Sequence, residues 1–187
     1  MNFPSGTPEW LNAFKTAAAV SNEDYPPAHA FKLALDCLCP AARFEIGHAF
    51  EVLASYPLRL RSFKVWHFDN APRFKRFRFL TEHLRDEPQS SSMGQVVETG
   101  KPLWIRNVAE EPKFYRREEA ARLGIRTGVL VPAKFKSEVV AVVELFATEI
   151  RDADAATLEI LEYLGIILGR IVERKRLETA IEKLHSS

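Results

Sequence analysis

The stretch from Met93 to Ala147 decides the fold, and its last part reads GVLVPAKFKSEVVAVVELFA (residues 128–147). This part contains two Val-rich runs, Gly128–Phe135 and Val139–Ala147, and Val suits the pleated surface of a sheet. Only three residues separate the runs, a length that favours a β-hairpin. The second run is apolar at nearly every position through Val143, which predicts a central strand covered on both faces.

The composition limits the classes of protein to which the chain can belong. Its 187 residues favour one domain with extensions. The 26 basic and 25 acidic side chains leave a net charge of +1, so no overall field gathers nucleic acid or an anionic membrane surface. The apolar runs fall far short of the roughly 20 residues that a membrane-spanning helix needs, and the N-terminus lacks a signal-peptide pattern. We therefore expect a soluble cytoplasmic module with neither a membrane span nor a nucleic-acid partner.

Two helices are predicted before the first strand. Thr7-Pro8-Glu9-Trp10 is typical of a helix start, and a second helix is predicted from Ala28 to about Leu38. Cys37 and Cys39 lie at the end of this second helix, where side chains two positions apart point about 200° from each other. They are therefore expected as two buried thiols without a disulfide between them.

From Phe44 the hydrophobic period changes to two, which predicts strands. His48 falls in the apolar row of the first strand, and three interpretations stay open: a core histidine bonded to the backbone, a ligand-facing histidine, or a metal ligand. The second strand region, Leu58–Asp69, loses its alternation near Ser62. Either a bulge or two strands joined by a loop explains this slip.

The next segment, Asn70–Asp86, interleaves basic and aromatic residues. That mixture can mark single-stranded nucleic acid binding, but the spacing favours an amphipathic helix, and the chain has no basic excess. The apolar stripe of this helix is predicted to be Phe74, Phe77, Leu80 and Leu84, with Arg73 and Arg76 in solvent or on an anion or ligand. Short elements follow in order: a helix over 93–99, a strand over 102–105 and a helix over 115–123.

The last helix is predicted to begin at a cap, Asp152 or Asp154, and to run to about Leu184. Its apolar stripe thins beyond Ile171, where the spacing resembles a stammer in a coiled coil. So thin a seam does not stabilise a lone helix, which predicts a partner helix. Gly165 and Gly169 allow another backbone to approach closely, and that backbone is either the sheet or a second copy of the chain.

The order of these elements and several motifs resemble a GAF domain of the type found as a sensor module in bacterial histidine kinases and other signalling proteins. The resemblance covers about residues 26–178. The motifs that carry it include Phe44-Glu45-Ile46-Gly47-His48-Ala49, Thr99-Gly100-Lys101-Pro102-Leu103-Trp104-Ile105, and Val139-Val140-Ala141-Val142-Val143-Glu144-Leu145-Phe146. The resemblance implies an α+β, profilin-like fold: a central six-stranded antiparallel sheet with helices on one face, a ligand pocket on the other, and a long C-terminal signalling helix. The implied organisation is an N-terminal helix and linker (1–25), a GAF domain (26–171) and a coiled-coil-like linker helix (172–187).

By the same resemblance a set of residues is predicted to line the pocket, to which the ligand-facing interpretation adds His48. Glu144 is the most informative, because a carboxylate in an apolar strand must be at an edge, paired or facing a ligand. The full set is His48, Trp66, Phe68, Arg73, Trp104, Phe114, Tyr115, Val131 and Glu144. No catalytic residue and no metal ligand is predicted.

The function implied is a non-enzymatic sensory module that binds an unidentified small molecule. It is expected to dimerise through its first and last helices and to signal to a covalently linked histidine kinase or cyclase in a two-component or related system. The sequence lacks the cyclic-nucleotide pattern, the Cys-His pair that attaches a bilin, and the loop cysteines of the methionine sulfoxide reductases of this fold. Two alternatives stay open: a dimerisation or protein-interaction module whose pocket is filled by its own side chains, and a small enzyme that uses His48 or the cysteines.

Overall fold

The computed structural model describes residues 7–84 and 87–185, which form six helices and five strands. The helices are α1 (Thr7–Asn22), α2 (Pro27–Ala42), α3 (Lys75–His83), α4 (Ser92–Thr99), α5 (Arg117–Leu123) and α6 (Ala155–His185). The strands are β1 (Ile46–Ser55), β2 (Leu58–Phe68), β3 (Leu103–Ile105), β4 (Thr127–Phe135) and β5 (Glu138–Ala147).

The strands form one antiparallel sheet in the order β2-β1-β5-β4-β3. The predicted hairpin is confirmed as β4 and β5, and β5 is the central strand, buried from Val139 to Ala147. Five strands are present in the described part of the chain, not the six that the family resemblance implied. The residue patterns gave five strands, or six if the region 58–69 were two strands, but that region is one continuous strand, and the described residues between β2 and β3 form helices and loops.

The slip in β2 is a bulge within one continuous strand. His48 pairs with Trp66 and Phe50 pairs with Ser62, so three residues of β2 lie opposite the single residue Ala49. Lys64, in the middle of the three, has φ +59°, which is a left-handed conformation. The bulge returns Trp66 to the same face of the sheet as Ser62, while Phe63 packs on the opposite face.

Helices α1, α2 and α6 cover one face of the sheet, which we call the helix face. Their side chains share one buried core with Val129, Val131 and Ala133 of β4. The close approach of α6 to β4 depends on glycine, because a Cβ added at Gly165 would lie 2.3 Å from the carbonyl oxygen of Pro132, and one at Gly169 would lie 2.1 Å from that of Lys134. The backbone that the two glycines admit is therefore the sheet.

The opposite face, which we call the site face, is covered by α3, α4, α5 and the loops between them. Phe77, Met93 and Phe146 are fully buried there. Of the segment 70–86, in which a helix was predicted, residues Lys75–His83 form α3 and Phe74 lies just before its first turn, while residues 85 and 86 lie outside the described part of the chain. Leu80, predicted for the buried stripe, is 38% exposed, because Phe77 and Thr81 are the residues that face the sheet.

The C-terminal helix extends beyond the sheet. Asp154 caps it by accepting hydrogen bonds from the backbone N–H groups of Ala156 and Thr157. The 31 residues of α6 span about 46 Å, and the last of them leave the core: Leu177, Ile181 and Leu184 are 53%, 53% and 78% exposed. No helix within residues 7–84 and 87–185 combines the length and the apolar character that crossing a bilayer requires.

Candidate functional site

Strand alternation places two polar residues at the centre of the site face. On β1 and β5, Ile46, His48, Phe50, Val142, Glu144 and Phe146 point towards this face. His48 lies directly opposite Glu144 in the β1–β5 register, and both side chains are completely buried. A histidine and a carboxylate in the middle of an apolar sheet face need partners, because burial without hydrogen bonds is costly.

His48 finds a partner at each ring nitrogen. Nδ1 lies 3.3 Å from Oε2 of Glu144, and Nε2 lies 2.8 Å from Oγ of Ser62. Burial lowers the pKa of His48 against the opposing effect of the Glu144 carboxylate, so the ring is neutral. A neutral ring that donates from Nδ1 to the carboxylate accepts a hydrogen bond from the Ser62 hydroxyl at Nε2. The bulge in β2 supports this arrangement, because Ser62 Oγ also accepts the backbone N–H of Lys64 at 2.9 Å.

Arg116 reaches Glu144 from the loop that precedes α5. Its Nη1 donates to Oε2 of Glu144 at 3.1 Å and to the hydroxyl of Thr81 at 2.8 Å, while Nη2 donates to Oε1 of Glu144. Burial alone would raise the pKa of Glu144, but the charge and hydrogen bonds of Arg116, together with the hydrogen bond from His48, outweigh it and hold that pKa below its usual value. The two side chains therefore form a charged, forked ion pair in an almost dry environment, with Arg116 only 7% exposed.

Four aromatic rings surround the guanidinium of Arg116. Its Cζ lies 4.8 Å from the ring centroid of Phe114, 5.2 Å from that of Phe77, and 5.8 Å from those of Phe50 and Phe146. These distances are within the range of cation–π attraction. We call the carboxylate of Glu144, the hydroxyl of Thr81 and these four rings the cation cage. Its members come from β1, α3, β5 and the loop before α5.

Trp66 extends the site towards β2. Its ring lies 4.2 Å from that of His48, and the ring of Phe68 stacks on its other side at 4.9 Å and 9°. The indole N–H donates to Oε1 of Glu82 at 2.9 Å. Burial pushes the pKa of Glu82 upwards, but hydrogen bonds from Arg78 and Trp66 prevail and lower it. One wall of the site is thus aromatic, with a carboxylate at its rim.

The structure brings together five of the nine residues predicted for the pocket: His48, Trp66, Phe68, Phe114 and Glu144. Arg73 lies at the outer rim, where Nη2 donates to the carbonyl of Leu123 at 2.7 Å. Tyr115 is next to Arg116 but is 53% exposed. These two residues remain on the same side of the sheet without joining the buried cluster.

The other two predicted residues, Trp104 and Val131, pack with the helix-face core and not with the buried cluster. Val131 follows Leu130, and because neighbouring strand residues point to opposite faces, Val131 packs under α6 while Leu130 faces the site. Trp104 packs against Phe44 at 6.0 Å, and its indole N–H donates to the carbonyl of Arg151 at 3.0 Å.

Three polar residues of the cluster were not predicted, Ser62, Thr81 and Arg116, and neither were the cage rings of Phe50, Phe77 and Phe146. Arg116 is one of several basic residues in a loop, so nothing in the local pattern distinguishes it from a solvated side chain. Ser62 carried a signal, since the alternation of β2 breaks there. Thr81 lies four residues after Phe77, on the same side of α3, and its small polar side chain was not expected in an apolar stripe.

The cysteines lie away from this cluster. Both belong to α2, on the helix face, where burial raises the pKa of Cys39 well above its usual value and Cys37 contacts the hydroxyl of Thr16. Within the described residues, no group of three or more His, Cys, Asp or Glu side chains is placed to hold a metal ion.

Known proteins share this fold. The family model described as GAF domain matches residues 63–173. The GAF domain of a phosphoenolpyruvate-protein phosphotransferase from Coxiella burnetii superimposes with a TM-score of 0.72 at 17% identity, covering 94% of this chain and 99% of that one. Free methionine-R-sulfoxide reductase from Neisseria meningitidis gives 0.69 at 13% identity, with 95% and 98% covered.

A third similar structure is a domain of a protein described as a two-component sensor histidine kinase from Sinorhizobium meliloti. Its TM-score is 0.62 at 12% identity, covering 82% of this chain and 95% of that one. At such identities the superpositions show a shared fold and nothing more. No curated protein sequence matches the chain significantly.

Proposed function

The chain belongs to the GAF domain family, a family of sensory and regulatory modules, and we propose that it binds a small molecule on the site face and passes the signal along α6 to an output domain of the histidine kinase or cyclase type. The observation that carries the proposal is the position of the buried polar cluster. It lies on one face of β1 and β5, while α6 packs on the other face of the same sheet. A change in how the cluster is filled acts on strands that α6 contacts directly.

Lys134 supplies a second connection between the two faces. Its ammonium group donates to the carbonyl oxygen of Gly100, at the C-terminal end of α4, at 3.0 Å, and to Oε1 of Glu162 on α6 at 2.8 Å. Helix α4 covers the site face, so one side chain joins the cover of the site to the exit helix. A displacement of α4 on ligand binding would therefore reach α6 without passing through the whole sheet.

The output proposal rests on the last turns of α6. Arg174 donates to the carbonyls of Ser21 and Glu23, and Arg176 to that of Val52, which fixes the helix where it leaves the core. Beyond this point the apolar residues Leu177, Ile181 and Leu184 are more than half exposed in the described part of the chain. We propose that residues 172–187 form a coiled-coil-like linker, and that two copies of the chain pair through α6 and α1.

We propose a binding role without catalysis. The structural relative from Neisseria meningitidis is named as a reductase of free methionine sulfoxide, so enzymes with this fold exist. In this chain both thiols belong to α2 on the other face of the sheet, separated from the site by the sheet itself. His48 and Glu144 are engaged with each other and with Ser62 and Arg116, an arrangement that suits recognition.

Native mass spectrometry of the purified chain tests both parts of the proposal. We expect a dimer at micromolar concentration and, where ligand survives purification, an added small-molecule mass. Leu177→Glu combined with Ile181→Glu places charges in the exposed seam and should give monomers. Thr179→Glu, about 200° round the helix from Leu177, adds a charge outside the seam and should leave the dimer intact. A wild-type chain that stays monomeric at micromolar concentration would overturn the pairing through α6.

One observation favours the alternative of an interaction module with a self-filled pocket. The guanidinium of Arg116 already occupies the cation cage and neutralises Glu144. If this occupancy is permanent, no small molecule competes for the site, and the chain acts only through its helices. Thermal-shift titration with metabolites of different charge separates the two functions, because the interaction module keeps the same melting temperature with all of them.

A further inference from the structure

Most of the cation cage is built by elements other than the loop that carries its occupant. The carboxylate, the hydroxyl and three of the rings project from β1, α3 and β5, whereas the occupant, Arg116, lies in the loop just before α5, two residues after the fourth ring, Phe114. The guanidinium is carried by a different element from the carboxylate, and only noncovalent contacts hold the two together. In this sense the side chain is bound as a ligand would be: a forked ion pair to Glu144, one hydroxyl from Thr81 and aromatic rings around it.

The cage does not satisfy all the hydrogen-bond donors of its occupant. Nε of Arg116 is buried and has no hydrogen-bond acceptor in the described part of the chain. The fork that meets Glu144 uses only Nη1 and Nη2. The cage therefore matches the edge of the guanidinium formed by Nη1 and Nη2, while Nε, through which the guanidinium is attached to its side chain, is a buried donor without a partner. A diffusible amidinium presents the same two-nitrogen edge with carbon in the position of Nε, so it fits the cage without this defect.

We propose that Arg116 is a tethered stand-in for a diffusible organic cation, and that the chain's ligand carries a planar cationic head, an amidinium in preference to a guanidinium, that replaces Arg116 on Glu144. This inference rests on the proposed function, since it names the ligand class of the same site face. Replacement expels Arg116 into solvent and moves the start of α5, where Arg76 pairs with Glu119 at 3.1 Å. The exchange is charge-neutral for the cage, because one cation leaves as another enters.

The tethered side chain of Arg116 competes with a free cation for the cage and so lowers the cation's apparent affinity. A side chain held beside its site acts at a high effective concentration, commonly millimolar for short connections, so a free cation must displace it before binding. Removing the Arg116 guanidinium removes this competitor. We therefore expect Arg116→Ala to bind small cations at least about tenfold more tightly than the wild-type chain does.

The experiment titrates methylguanidinium and acetamidinium into the wild-type chain, Arg116→Ala and Arg116→Met. Both cations are kept below about 20 mM, roughly a hundredfold under the concentrations that denature proteins. Binding is measured by calorimetry and by the shift in melting temperature. The expected result is saturable binding to both variants and weaker or competed binding to the wild type. Adding Glu144→Gln to either variant removes the carboxylate and should abolish the response, which separates a specific site from general salt effects. Sodium chloride at equal ionic strength is the control titrant.

Arg116→Ala leaves Glu144 buried without its cation, so this variant can fail to fold. It is therefore also purified with methylguanidinium present; folding only in the presence of the cation supports the inference. Absence of binding by a folded Arg116→Met, together with absence of rescue of Arg116→Ala, overturns it. If the cations fail while a neutral or anionic metabolite raises the melting temperature of the wild type but not of Trp66→Ala, the cation inference falls and the proposed ligand-binding function stands. If every class of compound fails, both fall.

Discussion

Gly169 is the position where the packing of α6 on the sheet can be tested most directly. In Gly169→Ala the new Cβ would lie 2.1 Å from the carbonyl oxygen of Lys134, 2.4 Å from its carbonyl carbon and 2.7 Å from its nitrogen. Carbon and oxygen atoms ordinarily approach no closer than about 3.3 Å, so α6 and β4 must separate by about 1 Å at this point. Every atom in the clash belongs to backbone, so no rotamer change relieves it.

Two opposing effects determine the sign of the stability change. Replacing Gly by Ala within a helix favours folding by about 1 kcal/mol. Forcing extra volume into a packed interface costs about 1–3 kcal/mol, and rigid backbone on both sides puts this site at the upper end of that range. We expect a net loss of about 2 kcal/mol in the free energy of unfolding. For a chain of this length that corresponds to a fall of roughly 4–8 °C in melting temperature.

Urea unfolding followed by circular dichroism measures the change, and Ala180→Gly provides the control. Ala180 is exposed on the same helix, so its replacement reports the propensity effect without a steric one. A Gly169→Ala chain more stable than the wild type would show that α6 does not touch the backbone of β4. Unchanged stability with a weakened dimer would show that the glycines serve contacts between copies of the chain.

Three further results are expected. The pKa of His48 is lowered in the folded chain, so unfolding takes up a proton at pH values below the ordinary histidine pKa of about 6.5. The free energy of unfolding should therefore fall as the pH drops from 7 to 5, by up to about 1.4 kcal/mol per pH unit. In urea titrations, His48→Gln should flatten this slope, whereas His185→Gln should not. Lys134→Met removes the bridge between α4 and α6 and should lower the melting temperature slightly while increasing hydrogen exchange in the first half of α6; unchanged exchange would contradict the coupling. Trp66→Phe removes the indole donor to Glu82 and should cost about 1 kcal/mol in urea unfolding; an unaltered midpoint would show that this hydrogen bond contributes nothing.

The parts of the fold that the sequence predicted are those in which local pattern and tertiary packing agree. The Val-rich hairpin, the glycine that ends α4 and the cap at Asp154 each follow from a few neighbouring residues, and each was confirmed. The sixth strand was implied by the family resemblance, and it is not among the described residues; a division of residues 58–69 into two strands, which the pattern left open, did not occur. The end of α3 could not be located from apolar spacing, because its exposed Phe79 and Leu80 resemble a buried stripe.

About half of the residues in the candidate site could be predicted from the sequence, and the reason is physical. Glu144 and His48 interrupt apolar strands, so their burial demanded partners and marked them as candidates. The partner, Arg116, is distant from both in sequence, and a basic residue in a loop is ordinarily solvated. Only the three-dimensional course of the loop brings it to Glu144. Val131 was assigned to the wrong face because the resemblance indicated the strand, whereas alternation along β4 decides which of its residues face the site.

The ion pair between Arg116 and Glu144 is difficult to explain as a device for stability alone. Buried ion pairs frequently contribute no more than apolar side chains of similar size, because both charges lose their hydration. The surrounding residues of the site face, Phe50, Phe77 and Phe146 among them, show that this layer can be packed with apolar groups. A polar cluster kept at its centre and joined to the loop before α5 has the properties of the self-closed binding site that we propose. The same pair accounts for both proposals, since a cage that holds a guanidinium selects the ligands able to replace it.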